Sequence, residues 1–138
     1  MEAFQVDILT PNQVVAKSLK ADWVSLMTEK GEIQILPKHT HLVTKIATGI
    51  LRVHSSEGTH LFTTTTGLCK VMSNQITILS NASEKVEEID RSRAEASKEK
   101  ALNMLSGDKA LSDYELIKYR RKFLRAETRL YASLLNKK

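Results

Sequence analysis

One change of rhythm constrains this chain more than any other feature. Through the first 84 residues apolar side chains alternate with polar ones: Phe4, Val6 and Ile8, then Val24 and Leu26, Ile33 and Ile35, Leu51 and Val53, Ile76 and Ile78. A period of two belongs to strands with one buried face. Turn signals interrupt it at Thr10-Pro11-Asn12, Lys30-Gly31, Leu36-Pro37, Thr48-Gly49, Glu57-Gly58 and Ser73-Asn74. Short strands at this spacing, with no helical period between them, predict an antiparallel sandwich or flattened barrel.

Near Ser83 the period lengthens. Ser83 reads as a helix N-cap, with Glu84, Glu87 and Glu88 on the first turns, where the helix dipole favours negative charge. Val86, Ile89, Ala96, Leu102 and Leu105 form the expected buried stripe, and Gly107-Asp108 supplies the stop. A second helix follows from Ser112 to Leu135. Ser112 and Glu115 make a capping box at its start, and Leu116, Tyr119, Phe123, Leu130 and Leu134 make its apolar stripe. The short connection predicts an antiparallel hairpin. The expected class is all-β plus α, with a sandwich over residues 1–84 and a two-helix hairpin over 85–138.

The chain of 138 residues carries a formal +5, and that charge is not spread evenly. Residues 1–84 hold seven basic and seven acidic side chains, and residues 85–110 hold six of each. Residues 111–138 hold eight Lys/Arg against Asp113, Glu115 and Glu127, so the whole excess sits on the last helix and its tail. At about 1.5 Å per residue such a helix is roughly 36 Å long. A basic rod of this length suggests an acidic partner, although a solvated face explains the same pattern.

Most other chemistry is absent. The opening MEAFQVDIL has no basic, apolar signal pattern, and no run approaches the ~18 apolar residues of a membrane span. The lone Cys69 excludes an internal disulfide, fits a reducing compartment, and reads as a small hydrophobe inside a strand. The five glycines form neither a GxGxxG nor a P-loop pattern. His39 and His41 are half a metal site at most, with no Cys or carboxylate cluster at ligand spacing, so no metal is expected. No nucleophile stands beside an evident base, and a stand-alone enzyme is not expected.

One short stretch is more specific: Ile89-Asp90-Arg91-Ser92-Arg93-Ala94. Asp90 and Arg93 lie three apart on one helical face, which a surface ion pair would explain. The alternative joins them to Arg125 and Arg129, four apart on the facing helix. Arginines converging from two helices fork onto phosphate oxygens, and Asp90 and Glu84 would accept hydrogen bonds from a base or ribose.

The whole chain resembles the epsilon subunit of bacterial F-type ATP synthases. Members open with a strand and a Thr-Pro turn, matched by Phe4–Pro11, and carry Gly-Glu-x-Gly-Ile-Leu-Pro-Gly-His, matched by GEIQILPKH from Gly31 to His39. Gly49–Val53 matches the Gly-x-Leu-Arg-Val strand, and Gly67–Val71 with Asn74–Leu79 matches the next two. Ile89, Asp90, Arg93 and Ala94 meet the nucleotide motif of some members in full. Departures are Gln34 and Lys38 in place of glycine, His41 in place of proline, and Thr66 in place of the first of two glycines.

The resemblance implies a flattened sandwich of about ten strands and a non-catalytic rotor subunit at the foot of the central stalk. Its sandwich would grip the gamma subunit and the c-ring, with Glu29, Gly31, Glu32 and His39 at the rotor contact. Its hairpin would fold against the sandwich or extend toward the catalytic alpha/beta head. There Lys118, Arg120, Arg121 and Lys122 would meet acidic loops and oppose ATP hydrolysis. No cofactor is required; ATP enters as a regulatory ligand held by Glu84, Ile89, Asp90, Arg93, Ala94, Lys100, Arg125 and Arg129. The setting is peripheral, on the cytoplasmic face of the bacterial inner membrane, and the membrane is met only through the complex. A basic nucleic-acid-binding module is the rival class, opposed by a charge-neutral sandwich without an aromatic-basic stacking surface. A free-standing ATP sensor is the second.

Overall fold

A computed structural model of the chain describes residues 4–37, 41–107 and 110–135. Ten strands precede two helices: β1 Phe4–Leu9, β2 Val14–Ala21, β3 Trp23–Thr28, β4 Gly31–Ile35, β5 His41–Ile46, β6 Gly49–Ser55, β7 Gly58–Thr64, β8 Gly67–Met72, β9 Gln75–Ser80, β10 Glu84–Lys85, α1 Arg91–Ser106 and α2 Asp113–Leu135. They form two five-stranded sheets, ordered β2-β1-β9-β8-β5 and β10-β7-β6-β3-β4. Among the described residues every pairing is antiparallel except β1 with β9, where Val6 lies opposite Ile76 and Ile8 opposite Ile78.

The alternating side chains meet between the sheets. Phe4, Val6, Ile8, Val24, Leu26, Ile35, Leu51, Val53, Ile76 and Ile78 are all buried there, with Ile33 half-buried at the edge. Cys69 lies in β8 within the same core, and burial alone pushes its thiol up to about 12, so it stays protonated and inert.

Two turns show why certain residues are kept or replaced. Gly67 starts β8 so close to its neighbour that a Cβ would stand 1.8 Å from the Leu79 carbonyl oxygen, and only glycine fits. The preceding Thr66 has room, and its hydroxyl accepts a hydrogen bond from Asn81 Nδ2 at 2.9 Å. Of the two glycines usual in the resembled family, the retained one is thus the one that sterics require.

The start of the helical part differs from the sequence expectation. Ser83 does not cap a helix: its Oγ donates to the Thr63 carbonyl at 2.6 Å, and Glu84–Lys85 then zip onto β7 as β10. A 3-10 turn over Val86–Glu88 follows, so the three glutamates precede the helix instead of lining its first turns. Asp90 is the true N-cap, in extended conformation, with Oδ1 accepting from the Arg93 amide at 3.1 Å. The capping box of α2 forms as read, with Glu115 N donating to Ser112 Oγ and Ser112 N to Glu115 Oε1, both at 3.2 Å.

The buried stripe of the hairpin is also narrower than expected. In α1 Ala94 and Ala101 are buried, whereas Ala96 and Leu102 are exposed and Leu105 is half-buried. In α2 Ala126 and Ala132 are buried, Leu116, Tyr119, Phe123 and Leu130 are half-buried, and Leu134 is exposed. Small side chains make the closest approach and larger ones flank it.

Candidate functional site

Alanines at the helix–helix contact let α1 and α2 come close, so the long side chains beside them must splay outward. On one side of the contact they leave a groove of about 310 Å³, lined by Ser97, Lys100, Ala101, Tyr119, Lys122, Arg125, Ala126 and Arg129. Four cations face this space, and its lining holds no carboxylate. On the opposite side Lys98 reaches Glu127 at 3.7 Å and lies over the Phe123 ring, which neutralises that edge.

The C-terminal half of α2 docks on the second sheet. Ala132 is fully buried against Ile50 and Val86, with Leu61, Ile89 and Leu135 around it. Arg129 Nε donates to Glu84 Oε1 at 2.5 Å, tying α2 to β10. Both partners are well shielded, with side chains 19% and 28% exposed, so the pair is stronger than a surface one. A polar cavity of about 260 Å³ lies behind it, lined by hydroxyls of Thr63, Thr64, Thr65 and Ser83, by Glu84, and by Arg125 and Arg129. The two arginines therefore stand between groove and cavity.

The residues expected at a nucleotide site are only partly gathered. Lys100, Arg125 and Arg129 share the groove, and Glu84 joins them through Arg129. Ile89 packs in the docking patch, and Ala94 is buried between the helices. Asp90 spends Oδ1 on the N-cap, and the Arg93 side chain is exposed outside the groove lining. The surface ion pair that does form on this turn joins Arg91 to Glu95 at 3.2 Å. Lys122 was expected on the basic face alone, yet it also lines the groove. Its spacing of three from Arg125 and seven from Arg129 carries that signal, as does 97/100/101 on α1.

On the outer surface of α2, Lys118, Arg120, Arg121 and Lys122 are all exposed. The ammonium groups of Lys118 and Lys122 stand 5.4 and 5.8 Å from the Tyr119 ring centre. In the second sheet, Glu29 and Gly31 form the β3–β4 turn, where Gly31 has φ +115 and its carbonyl accepts from Thr28 Oγ1 at 2.7 Å. Glu32 is held by Arg52 at 3.0 Å, and His39 lies outside the described residues. No group of three metal-ligating side chains occurs among the described residues.

Against known proteins, the model of the ATP synthase delta/epsilon chain β-sandwich domain matches residues 3–86. The ATP synthase epsilon chain of Caldicellulosiruptor bescii is 36% identical over 137 residues, covering 99% of this chain and 98% of that one. The chain belongs to the ATP synthase delta/epsilon family. The epsilon chain of Pelotomaculum thermopropionicum is 36% identical over 102 residues, 74% of this chain and 75% of the relative. In three dimensions, a chain of the Euglena gracilis mitochondrial ATP synthase aligns with TM-score 0.80 at 20% identity, covering 97% of this chain and 82% of that one, which shows a shared fold. As an ATP synthase epsilon chain this is a non-catalytic subunit of a larger enzyme. Among the described residues no helix is long and apolar enough to cross a membrane.

Proposed function

We propose that this epsilon chain is a rotor part of the central stalk whose hairpin opposes ATP hydrolysis and whose groove senses ATP. The observation that carries the reading is charge segregation: a neutral sandwich beside a last helix and tail that together hold the whole net +5, with Arg120 and Arg121 exposed. The sandwich, residues 1–84, grips the gamma subunit and the c-ring. The outer face of the first sheet supports this, because among the described residues α2 packs on β6 and β7 of the second sheet and Val43, Leu68, Met72 and Leu79 stand exposed on the first. The turn at Glu29, Gly31 and Glu32 supplies part of the rotor contact.

The hairpin, residues 85–138, moves between a docked form and one extended toward the alpha/beta head. In the extended form Lys118, Arg120, Arg121 and Lys122 meet acidic loops. Docking through one alanine patch and one ion pair makes such release inexpensive. ATP held by the arginines of both helices would favour the docked form, by no more than its difference in affinity for the two. In this reading the protein works on the cytoplasmic face of the bacterial inner membrane, held there by its complex. ATP hydrolysis by the assembled enzyme, with and without residues 85–138, tests the reading. Faster hydrolysis after removal is expected, and an unchanged rate would overturn it.

A further inference from the structure

We propose that the free chain pairs with a second copy of itself, α2 lying antiparallel to α2 about Leu124, so that a symmetric dimer covers part of the basic face of the hairpin. α2 is apolar on two sides. Leu116, Phe123 and Leu130 are half-buried in the hairpin stripe, where Lys98 of α1 lies over the Phe123 ring. Ile117, Leu124 and Tyr131 stand one residue further on, about 100° around the helix. They are 52%, 49% and 55% exposed, and neither hydrophobic cluster among the described residues takes them in. They are seven residues apart, the spacing of a helix-pairing seam.

The two ends of this row differ. Tyr131 opens onto a groove of about 540 Å³ between α2 and the second sheet, with Met27 and Ile50 in its floor and Glu32 and Glu127 at its rim. Ile117 and Leu124, with exposed Tyr114 beyond them, lie toward the other end of α2; the docking patch and the Glu84 ion pair engage it only at Arg129 and later. One half of the helix therefore carries bare apolar side chains, and the other half lies beside an apolar slot. A two-fold axis at Leu124 brings each to the other, Ile117 of one copy against Tyr131 and the groove of the next.

Charge selects the antiparallel arrangement. Arg120 and Glu127 stand seven apart on one flank of the row, on either side of the axis, so each Arg120 meets Glu127 of the other copy. Lys98 approaches only Oε2 of Glu127, at 3.7 Å, which leaves Oε1 for the arginine. In parallel register arginine would face arginine and glutamate would face glutamate. Arg121, on the other flank, enters the groove beside Glu32, where Arg52 holds Oε2 alone. A subunit paired in this way cannot offer Arg120 and Arg121 to another acidic partner.

Sedimentation equilibrium of the full-length chain, from about 1 μM to about 500 μM, reads the association, and a dissociation constant within that range is expected. Leu124→Glu sets two carboxylates face to face at the axis and is expected to raise the constant by about tenfold or more, with an unchanged circular dichroism spectrum. Arg120→Glu is expected to do the same, and Arg120→Glu with Glu127→Arg to restore the dimer, a rescue that a folding defect would not give. A chain that stays monomeric throughout overturns the proposal, and if Leu124→Glu then alters ATP hydrolysis by the assembled enzyme, the face belongs to another subunit. A dimer indifferent to both Leu124→Glu and Arg120→Glu joins through a different surface and overturns it equally.

Discussion

The sandwich and the hairpin bury their contacts by opposite means. The sandwich encloses large side chains, Phe4, Leu26, Phe62 and Ile78 among them, each essentially removed from water between two sheets. The hairpin closes on alanines, Ala94, Ala101 and Ala126 between its helices and Ala132 against the sheet, while Leu102, Ile117 and Leu124 remain about half exposed. Burying a large aliphatic side chain is worth about 1.5–3 kcal/mol, and an alanine methyl only a fraction of that. The first region holds itself together; the second is a close but weakly attached lever.

The sharpest way to break the comparison is to hollow out each region in turn. Ile78→Ala is expected to cost about 2–5 kcal/mol in urea unfolding, because the site is fully enclosed and collapses poorly. Overfilling Ala132 with leucine is expected to cost about 1–3 kcal/mol. That loss should appear as faster amide exchange in α2 with β9 unaffected, and equal acceleration in both would mean that the two regions unfold as one. Asp90→Ala should cost about 1 kcal/mol through the lost N-cap, read as fraying of the first turn of α1. Replacing Arg120, Arg121 and Lys122 together by alanine should change stability by less than about 0.5 kcal/mol, since all three are exposed. In the assembled enzyme the same variant should relieve inhibition of ATP hydrolysis.

A pH series sharpens the sandwich side. Cys69 keeps its proton in the folded chain up to about 12, against 9.0 for the ordinary thiol. Between those values the unfolded chain loses a proton that the folded chain holds. Stability from this group is therefore intact below pH 9.0 and falls as pH rises through the window. Cys69→Ala should show a shallower alkaline decline than the unsubstituted protein.

The strands were legible because alternation is a strong signal when one face is buried, and Val53 and Ile78 point inward as their periods require. The end of the sheet was not. A serine followed by acidic residues is the local signature of a helix start, yet the Ser83 hydroxyl found the Thr63 carbonyl of a strand twenty residues earlier. Tertiary pairing overrode a local cue, and the cap moved to Asp90. Leucine periodicity similarly obscured the hairpin contact, because closeness of two backbones favours the smallest side chain and alanine carries little hydropathy signal. At the candidate site, sequence located Lys100, Arg125 and Arg129 on facing helices. It did not show that Glu84 and Arg129 satisfy each other, a contact spanning 45 residues.

The parallel pairing of β1 with β9 bears on how the protein is made. Gln5 stands opposite Gln75, so the first strand cannot take its interior place in the sheet, between β2 and β9, until the ninth has been synthesised. A nascent chain shorter than about 80 residues has β1 and β2 as an isolated ribbon with an open edge, which is marginal in water and open to wrong pairing. Such long-range closure is slow compared with helix formation. Emergence of β9 from the ribosome is therefore the event that commits the sandwich, and the hairpin, made last, arrives at a sheet already waiting for it.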